Sequence, residues 1–102
     1  MLKKKLSLFF LIFTVSALFA QPYNAKSFYK AGIDYKNKNM FLEAMGAFKK
    51  AFSMDKKFDS AYLEMGLLYS KTSRPDSAVW YYNKTISINP AMASAHIALG
   101  NF

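Results

Sequence analysis

The chain has 102 residues, which is room for one small domain. A hydrophobic fraction of 53% is too high for a disordered chain, and the absence of cysteine excludes a disulfide framework, a thiolate zinc site and a cysteine nucleophile. The formal net charge is +8; three of the 14 basic side chains are Lys3, Lys4 and Lys5, and the other 11 face 6 acidic ones. This moderate excess of positive charge favours an anionic partner surface.

Residues 1–20 have the three-part order of a secretory signal peptide, with a lysine run, an apolar stretch over residues 6–18, and small residues at Ala17 and Ala20. The apolar stretch is shorter than the ~20 residues that a spanning helix needs. We therefore predict an exported protein, periplasmic or secreted, that is cleaved after Ala20 or Ala17. An uncleaved segment would instead anchor the chain, and this is the only membrane association that we expect. Nucleic acid is not an expected partner of an exported protein.

The rest of the chain has helical periodicity interrupted by polar stretches. The predicted helices cover residues 24–37, 41–54, 58–71, 75–88 and 91 onward. Asn39 suits a left-handed turn between the first two helices, and Pro75 suits the first turn of the fourth. Gly46 falls inside the second helix, where glycine costs about 1 kcal/mol relative to alanine, and the sequence offers no reason for it.

The chain repeats itself in a 34-residue register without any insertion, so that Gly32 recurs as Gly66 and again as Gly100. The landmarks of the first copy are Phe28, Ala31, Gly32, Tyr35, Ala44, Phe48, Ala51 and Lys56, and those of the second are Tyr62, Met65, Gly66, Tyr69, Ala78, Tyr82, Thr85 and Pro90. This pattern resembles the tetratricopeptide repeat family, from which Ala31, Lys56 and Thr85 depart. The resemblance implies an all-α fold, an α–α superhelix of helix–turn–helix repeats. Repeat one covers residues 25–58, repeat two 59–92, and a truncated third repeat begins at 93–102.

Residues 93–102 carry no charged side chain, so they do not form the polar cap that a repeat array needs at its end. We expect the chain to be the front of a longer repeat protein or a fragment of one. Alternatively, a partner or a second copy covers this uncapped end, which would allow self-association. A complete, monomeric chain would have marginal stability.

The resemblance also implies a binding site for a protein or peptide, on the concave face formed by the first helix of each repeat. The candidates for this peptide groove are Lys26, Tyr29, Ile33, Lys36, Asn37, Ser60, Leu63, Leu67, Ser70, Lys71 and Ile97, with Ser94 beside them. Chaperone-binding members hold terminal carboxylates with a lysine and an asparagine, where this chain has Tyr29, Ile33, Leu63 and Leu67. We therefore expect an apolar strip rimmed by lysines, suited to an amphipathic or extended peptide, although some of these residues can simply pack against neighbouring helices.

Nothing in the sequence indicates catalysis, a cofactor or a metal site. There is one histidine, no close pair of carboxylates and no glycine-rich phosphate loop. His96 stands at an aromatic position of the repeat, so we expect it to pack. Trp80 lies off the packing face of its helix, and either anchors an interface or packs on a further repeat.

The sequence therefore predicts a non-enzymatic, exported scaffold that binds a protein or peptide through its first helices. The alternative is that these repeats are the sensor or accessory region of a larger envelope protein, whose signalling or enzymatic domain lies elsewhere.

Overall fold

Five α-helices follow one another along residues 23–101, the part of the chain that the computed structural model describes. Residues 1–20, the predicted signal segment, lie outside it. The helices are α1 Ala25–Asn37, α2 Phe41–Met54, α3 Asp59–Lys71, α4 Pro75–Ile88 and α5 Ala93–Gly100. Their bounds agree closely with the predicted ones. No helix within the described range has the length and apolar character to cross a membrane.

The helices pack in pairs, α1 against α2 and α3 against α4, with smaller contacts from α2 to α3 and from α4 to α5. Each pair is one repeat. We call the contact between the two pairs the first junction, and the contact between the second pair and α5 the second junction.

Local signals in the sequence determine where the helices begin. Asn24 and Ser27 form a capping box at the start of α1: the Ser27 N–H donates to Asn24 Oδ1 at 2.9 Å, and the Asn24 N–H donates to Ser27 Oγ at 3.0 Å. Pro75 lies in the first turn of α4, as predicted, where its missing N–H costs nothing.

The turns within the two repeats have the same geometry. Asn39 and Ser73, which hold equivalent positions in the two repeats, both have φ of 60°. The next residue in each turn donates its N–H back into the helix, from Met40 to the Tyr35 carbonyl and from Arg74 to the Tyr69 carbonyl, both at 2.9 Å. This is the Schellman pattern, which satisfies carbonyls that the helix end leaves open. The left-handed turn predicted at Asn39 is confirmed.

Within each pair, an aromatic ring lies directly on a glycine. A Cβ atom added to Gly32 would lie 2.5 Å from Phe48, and one added to Gly66 would lie 2.5 Å from Tyr82. Since a Cβ atom at either position would force the ring to shift, the close approach of the ring favours glycine there.

The core lies at the first junction. Ala44 and Phe48 of α2 and Met65 and Leu68 of α3 are fully buried and form one cluster. Aromatic stacking extends this contact, since the rings of Phe52 and Tyr62 are 4.3 Å apart and inclined by 11°. Burial of these large apolar side chains is what holds repeat two on repeat one.

Candidate functional site

A recess of about 340 Å³ opens at the second junction, between α3 and α5. It is lined by Leu67, Ser70, Tyr82, Ser94, Ile97, Ala98 and Asn101. The predicted groove residues Leu67, Ser70 and Ile97 therefore come together in one place. We call this recess the second-junction groove.

None of the side chains that line the second-junction groove is charged. Leu67 is half-buried, while Ile97 is 64% exposed and offers apolar surface to solvent. Burial raises the pKa of Tyr82, and a hydrogen bond with Ser70 opposes part of that rise. The phenol is therefore protonated at neutral pH, and the groove combines apolar walls with neutral hydrogen-bonding groups.

At the first junction, two of the equivalent positions carry charged side chains. Lys36 Nζ of α1 lies 2.7 Å from Glu64 Oε2 of α3, and the two side chains are only 23% and 12% exposed. The equivalent residues of the next repeat are Ser70 and Ala98, which cannot form an ion pair and which both line the second-junction groove. The ion pair bridges the first junction, whereas the second junction stays open. Lys36 is thus paired with Glu64 and is not a free cation at the rim.

Two further candidates from repeat one are engaged in packing. The Tyr29 ring lies 5.1 Å from the Phe58 ring and 5.7 Å from the Phe48 ring, and Ile33 packs against the core cluster. Burial raises the pKa of Tyr29, and the nearby carboxylates of Glu64 and Asp59 raise it further. Both residues stabilise the repeat pair, and only part of each surface remains available to a ligand.

The other candidates lie outside the second-junction groove. Leu63 is half-buried, and the Ser60 Oγ–H donates to Asp59 Oδ1 at 3.3 Å. Lys71 is exposed, with its Nζ 5.8 Å from the centre of the Phe41 ring. The remaining two, Lys26 and Asn37, are exposed. A role in ligand binding stays a prediction for all of them.

Comparison with known proteins agrees with this architecture. Residues 59–92, which are repeat two, match the sequence model of the tetratricopeptide repeat family. A solved structure, the crystal structure of MamA, superposes with a TM-score of 0.74 and 28% identity over 76% of this chain. The fold is that of a tetratricopeptide repeat. This fold generally mediates protein–protein interaction.

One curated relative carries a catalytic name. Protein O-mannosyl-transferase Tmtc3 of Drosophila melanogaster is 32% identical over 78 residues, which is 76% of this chain. The chain spans 8% of the length of that protein, and 46% of the MamA chain. The similarity therefore covers a small part of the transferase and does not transfer its activity to this chain.

The sequence prediction missed four residues of these tetratricopeptide junctions: Glu64, Tyr82, Ala98 and Asn101. Glu64 lies on a different helix from Lys36, and no spacing rule within one helix connects them. The repeat register did contain a signal, since it replaces Lys36 by Ser70 and Glu64 by Ala98. Reading both substitutions together would have located the open junction.

The predictions for Trp80 and His96 compare differently with the structure. Trp80 is 58% exposed and lies edge-on to Tyr81 at 4.9 Å, away from the residues of the second-junction groove. The expected packing of His96 is wrong, because its side chain is exposed and its Nε2 lies 2.8 Å from the Pro90 carbonyl oxygen. Among residues 23–101, no three His, Asp or Glu side chains gather closely enough to hold a metal ion.

Proposed function

We propose that this chain is a non-catalytic binding module whose second-junction groove holds a segment of a partner protein. The observation that carries the proposal is the contrast between the junctions. The positions that form a bridging ion pair at the first junction are Ser70 and Ala98 at the second, where the recess of about 340 Å³ opens. This surface includes the exposed Ile97 and lacks the ion pair of the first junction, which is understandable if the surface binds a ligand.

The chemistry of the groove selects an uncharged, partly apolar segment. A volume of about 340 Å³ accommodates one or two large side chains. Leu67 and Ile97 would contact such side chains, while Ser70 and Asn101 would hydrogen-bond to the peptide backbone. No lysine or arginine lines the recess. A terminal carboxylate therefore has no cationic partner there, and an internal extended or amphipathic segment fits better.

We further propose that the module acts outside the cytoplasm. Residues 1–20 support this location through their lysine run, their apolar stretch and their small residues near the end. The partner would then be another exported or surface protein. Detection of the mature protein in the extracytoplasmic fraction, with its N-terminus near Gln21, tests the location independently of binding.

A second candidate function is that these repeats are the accessory region of a larger envelope protein. The coverage of the relatives favours it, because the chain spans only 8% and 46% of the two proteins above. Sequencing the source DNA beyond the codon for Phe102 separates the candidates. Further repeats in the same register support a dedicated scaffold, and a spanning segment followed by a different domain supports the accessory role.

Selection from a random 12-residue peptide library displayed on phage, panned against the full chain, tests the groove directly. We expect an enriched class of peptides whose affinity for Ile97→Asp is at least tenfold lower than for the unchanged protein, since a hot-spot contact of an interface is worth about 2 kcal/mol or more. Ile97 is 64% exposed, so this change does not disturb the core.

Leu42→Asp is the matched control. Leu42 is 82% exposed and is not part of the groove. Peptides that bind both variants with unchanged affinity, or no enrichment at all, would contradict the groove proposal. Peptides that depend on Trp80 instead, tested with Trp80→Ala, would move the binding surface to α4.

A further inference from the structure

A second recess lies at the start of the array, on the side of repeat one that faces away from repeat two. It has a volume of about 340 Å³ and lies between α1 and α2. Its lining residues are Phe28, Ala31, Tyr35, Glu43, Gly46, Ala47 and Lys50. We call this surface the first edge.

The repeat register identifies what kind of element the first edge accepts. The corresponding surface of repeat two contains Tyr62, Met65 and Tyr81, and there it is covered by α2. Phe52 of α2 stacks on Tyr62 at 4.3 Å and lies 6.2 Å from Tyr81. In repeat two this face is therefore a helix-binding surface that receives an aromatic side chain.

The two faces also share local geometry. Lys50 Nζ lies 5.3 Å from the centre of the Phe28 ring, and Lys84 Nζ lies 5.7 Å from the centre of the Tyr62 ring. The same cation–π contact thus recurs at the equivalent positions of repeat two. The coverage differs, because Tyr62 is 6% exposed under α2 while Phe28 is only partly buried.

Side-chain volume distinguishes the first edge from its counterpart. Ala31 stands where repeat two has Met65, Gly46 where it has Trp80, and Ala47 where it has Tyr81. A Cβ atom on Gly46 would meet nothing within 4 Å, so no packing within residues 23–101 explains this helix-weakening glycine. Ala47 replaces Tyr81, which Phe52 of α2 approaches to 6.2 Å in repeat two, so the recess is deeper at that point. An occupant must therefore supply the missing bulk.

We infer that the first edge binds an amphipathic helix of a partner protein, which inserts a large aromatic side chain between Phe28 and the recess at Gly46 and Ala47. The helix approaches as α2 approaches repeat two, and its aromatic residue fills the space that Tyr81 occupies there. A second copy of this chain is a poorer occupant, because the two copies would repel: even without Lys3, Lys4 and Lys5, each carries 11 basic against 6 acidic side chains. This surface is separate from the second-junction groove and does not depend on its function.

The test uses the full chain and a 14-residue peptide that copies Phe41–Met54 with Phe52→Trp. Titration followed by backbone amide NMR is expected to give saturable shifts centred on Phe28, Ala31 and Ala47. The matched control peptide with Phe52→Ala should bind at least tenfold more weakly, because it lacks the aromatic side chain.

Two variants of the protein at one position make the test specific. Gly46→Trp places a bulky ring in the recess that the indole of the Phe52→Trp peptide would occupy, and it should weaken binding of that peptide at least tenfold. Gly46→Ala leaves the recess open and should change the affinity less than twofold. A Cβ atom at Gly46 would meet nothing within 4 Å, so Gly46→Ala should keep the fold, and circular dichroism checks that Gly46→Trp remains helical.

Three outcomes would overturn the inference. The first is an absence of saturable shifts, or equal affinity of the Gly46→Trp variant and the unchanged protein. The second is binding that is lost in Ile97→Asp and kept in Gly46→Trp, which would place the peptide in the second-junction groove and support only the proposed function. The third is a dimer in light scattering that Gly46→Trp dissociates, which would make a second copy the occupant.

Discussion

Repeat one and repeat two have the same sequence pattern and the same turns. They differ in which side chains are buried, because their neighbours differ. Repeat two lies between repeat one and α5, and it buries Met65 and Leu68 completely. The equivalent residues of repeat one are Ala31 and Asp34, and Asp34 is exposed. A position in a repeat is therefore buried or exposed according to what covers it, and the residue type at that position differs accordingly.

The two junctions show the same principle on a smaller scale. Lys36 and Glu64 bridge the first junction, while Ser70 and Ala98 leave the second one open. The equivalent positions thus form an ion pair at one junction and line a recess without charged side chains at the other. Fold and function are thus separable within one repeat array.

The largest expected difference between the repeats concerns the core. Leu68→Ala should lower the free energy of unfolding by about 2–5 kcal/mol, because it leaves a cavity at a fully buried position. Its counterpart Asp34→Ala should change that free energy by less than about 0.5 kcal/mol, since Asp34 is solvated. Urea unfolding followed by circular dichroism measures both. Similar losses would mean that repeat one is covered in solution by something further.

The ring-on-glycine contact should be equally costly to disturb in both repeats. Gly32→Ala and Gly66→Ala should each destabilise the chain by about 1–3 kcal/mol, because the new methyl group would overlap Phe48 or Tyr82. Gly46→Ala, in the open, should instead stabilise it by about 0.5–1 kcal/mol. Thermal unfolding of the three variants is the measurement, and a neutral Gly66→Ala would show that the Tyr82 ring moves aside.

The difference between the two junctions can be tested by removing the ion pair at the first and introducing one at the second. A double-mutant cycle on Lys36→Ala and Glu64→Ala should give a coupling energy of about 1 kcal/mol, as expected for a partly buried ion pair. Ser70→Lys combined with Ala98→Glu should introduce a comparable coupling at the second junction. That double variant should also lose the peptides selected on the second-junction groove. If the double variant shows this coupling and still binds the selected peptides, then an ion pair at these positions does not close the second-junction groove.

The smallest effect concerns the left-handed turn residues. Ser73→Gly should stabilise the chain by about 0.5–1 kcal/mol, because serine bears the steric cost of a positive φ. Asn39→Gly should gain less than about 0.5 kcal/mol, since asparagine tolerates that conformation. Urea midpoints of the two variants provide the comparison, and an equal gain would show that residue type matters little in these turns.

The fold could be predicted from the sequence because its determinants are periodic. The helix pairs are defined by features that recur every 34 residues. These are the glycines Gly32 and Gly66, the aromatic residues Phe48 and Tyr82, and the turn at Asn39. Ser73 is not predicted as a left-handed residue because serine is rarely one, although it holds the position of Asn39 in the next repeat.

The candidate site was harder to predict, because it depends on contacts between residues distant in the chain. Tyr29 and Ile33 occupy groove positions of the repeat and also pack on the core. Residue spacing alone cannot show whether such a residue contacts a ligand or stabilises the core. His96 occupies an aromatic position, but a ring packs there only against a neighbouring helix. Within the described residues it instead lies beside the Pro90 carbonyl.

The position of Trp80 has a consequence for spectroscopy. It is the single tryptophan of the chain, and its ring lies 4.9 Å from Tyr81, which in turn lies 5.5 Å from Tyr69 and 6.4 Å from Tyr62. At such separations, light absorbed by these tyrosines is passed to the tryptophan, whose sensitised emission then reports on the packing of these rings in repeat two. Helix α5 contains no tyrosine or tryptophan and is silent in this measurement. The protein thus carries an unlabelled optical probe in repeat two, and sensitised emission that is lost before the helical circular dichroism signal would show that repeat two opens before the rest of the array.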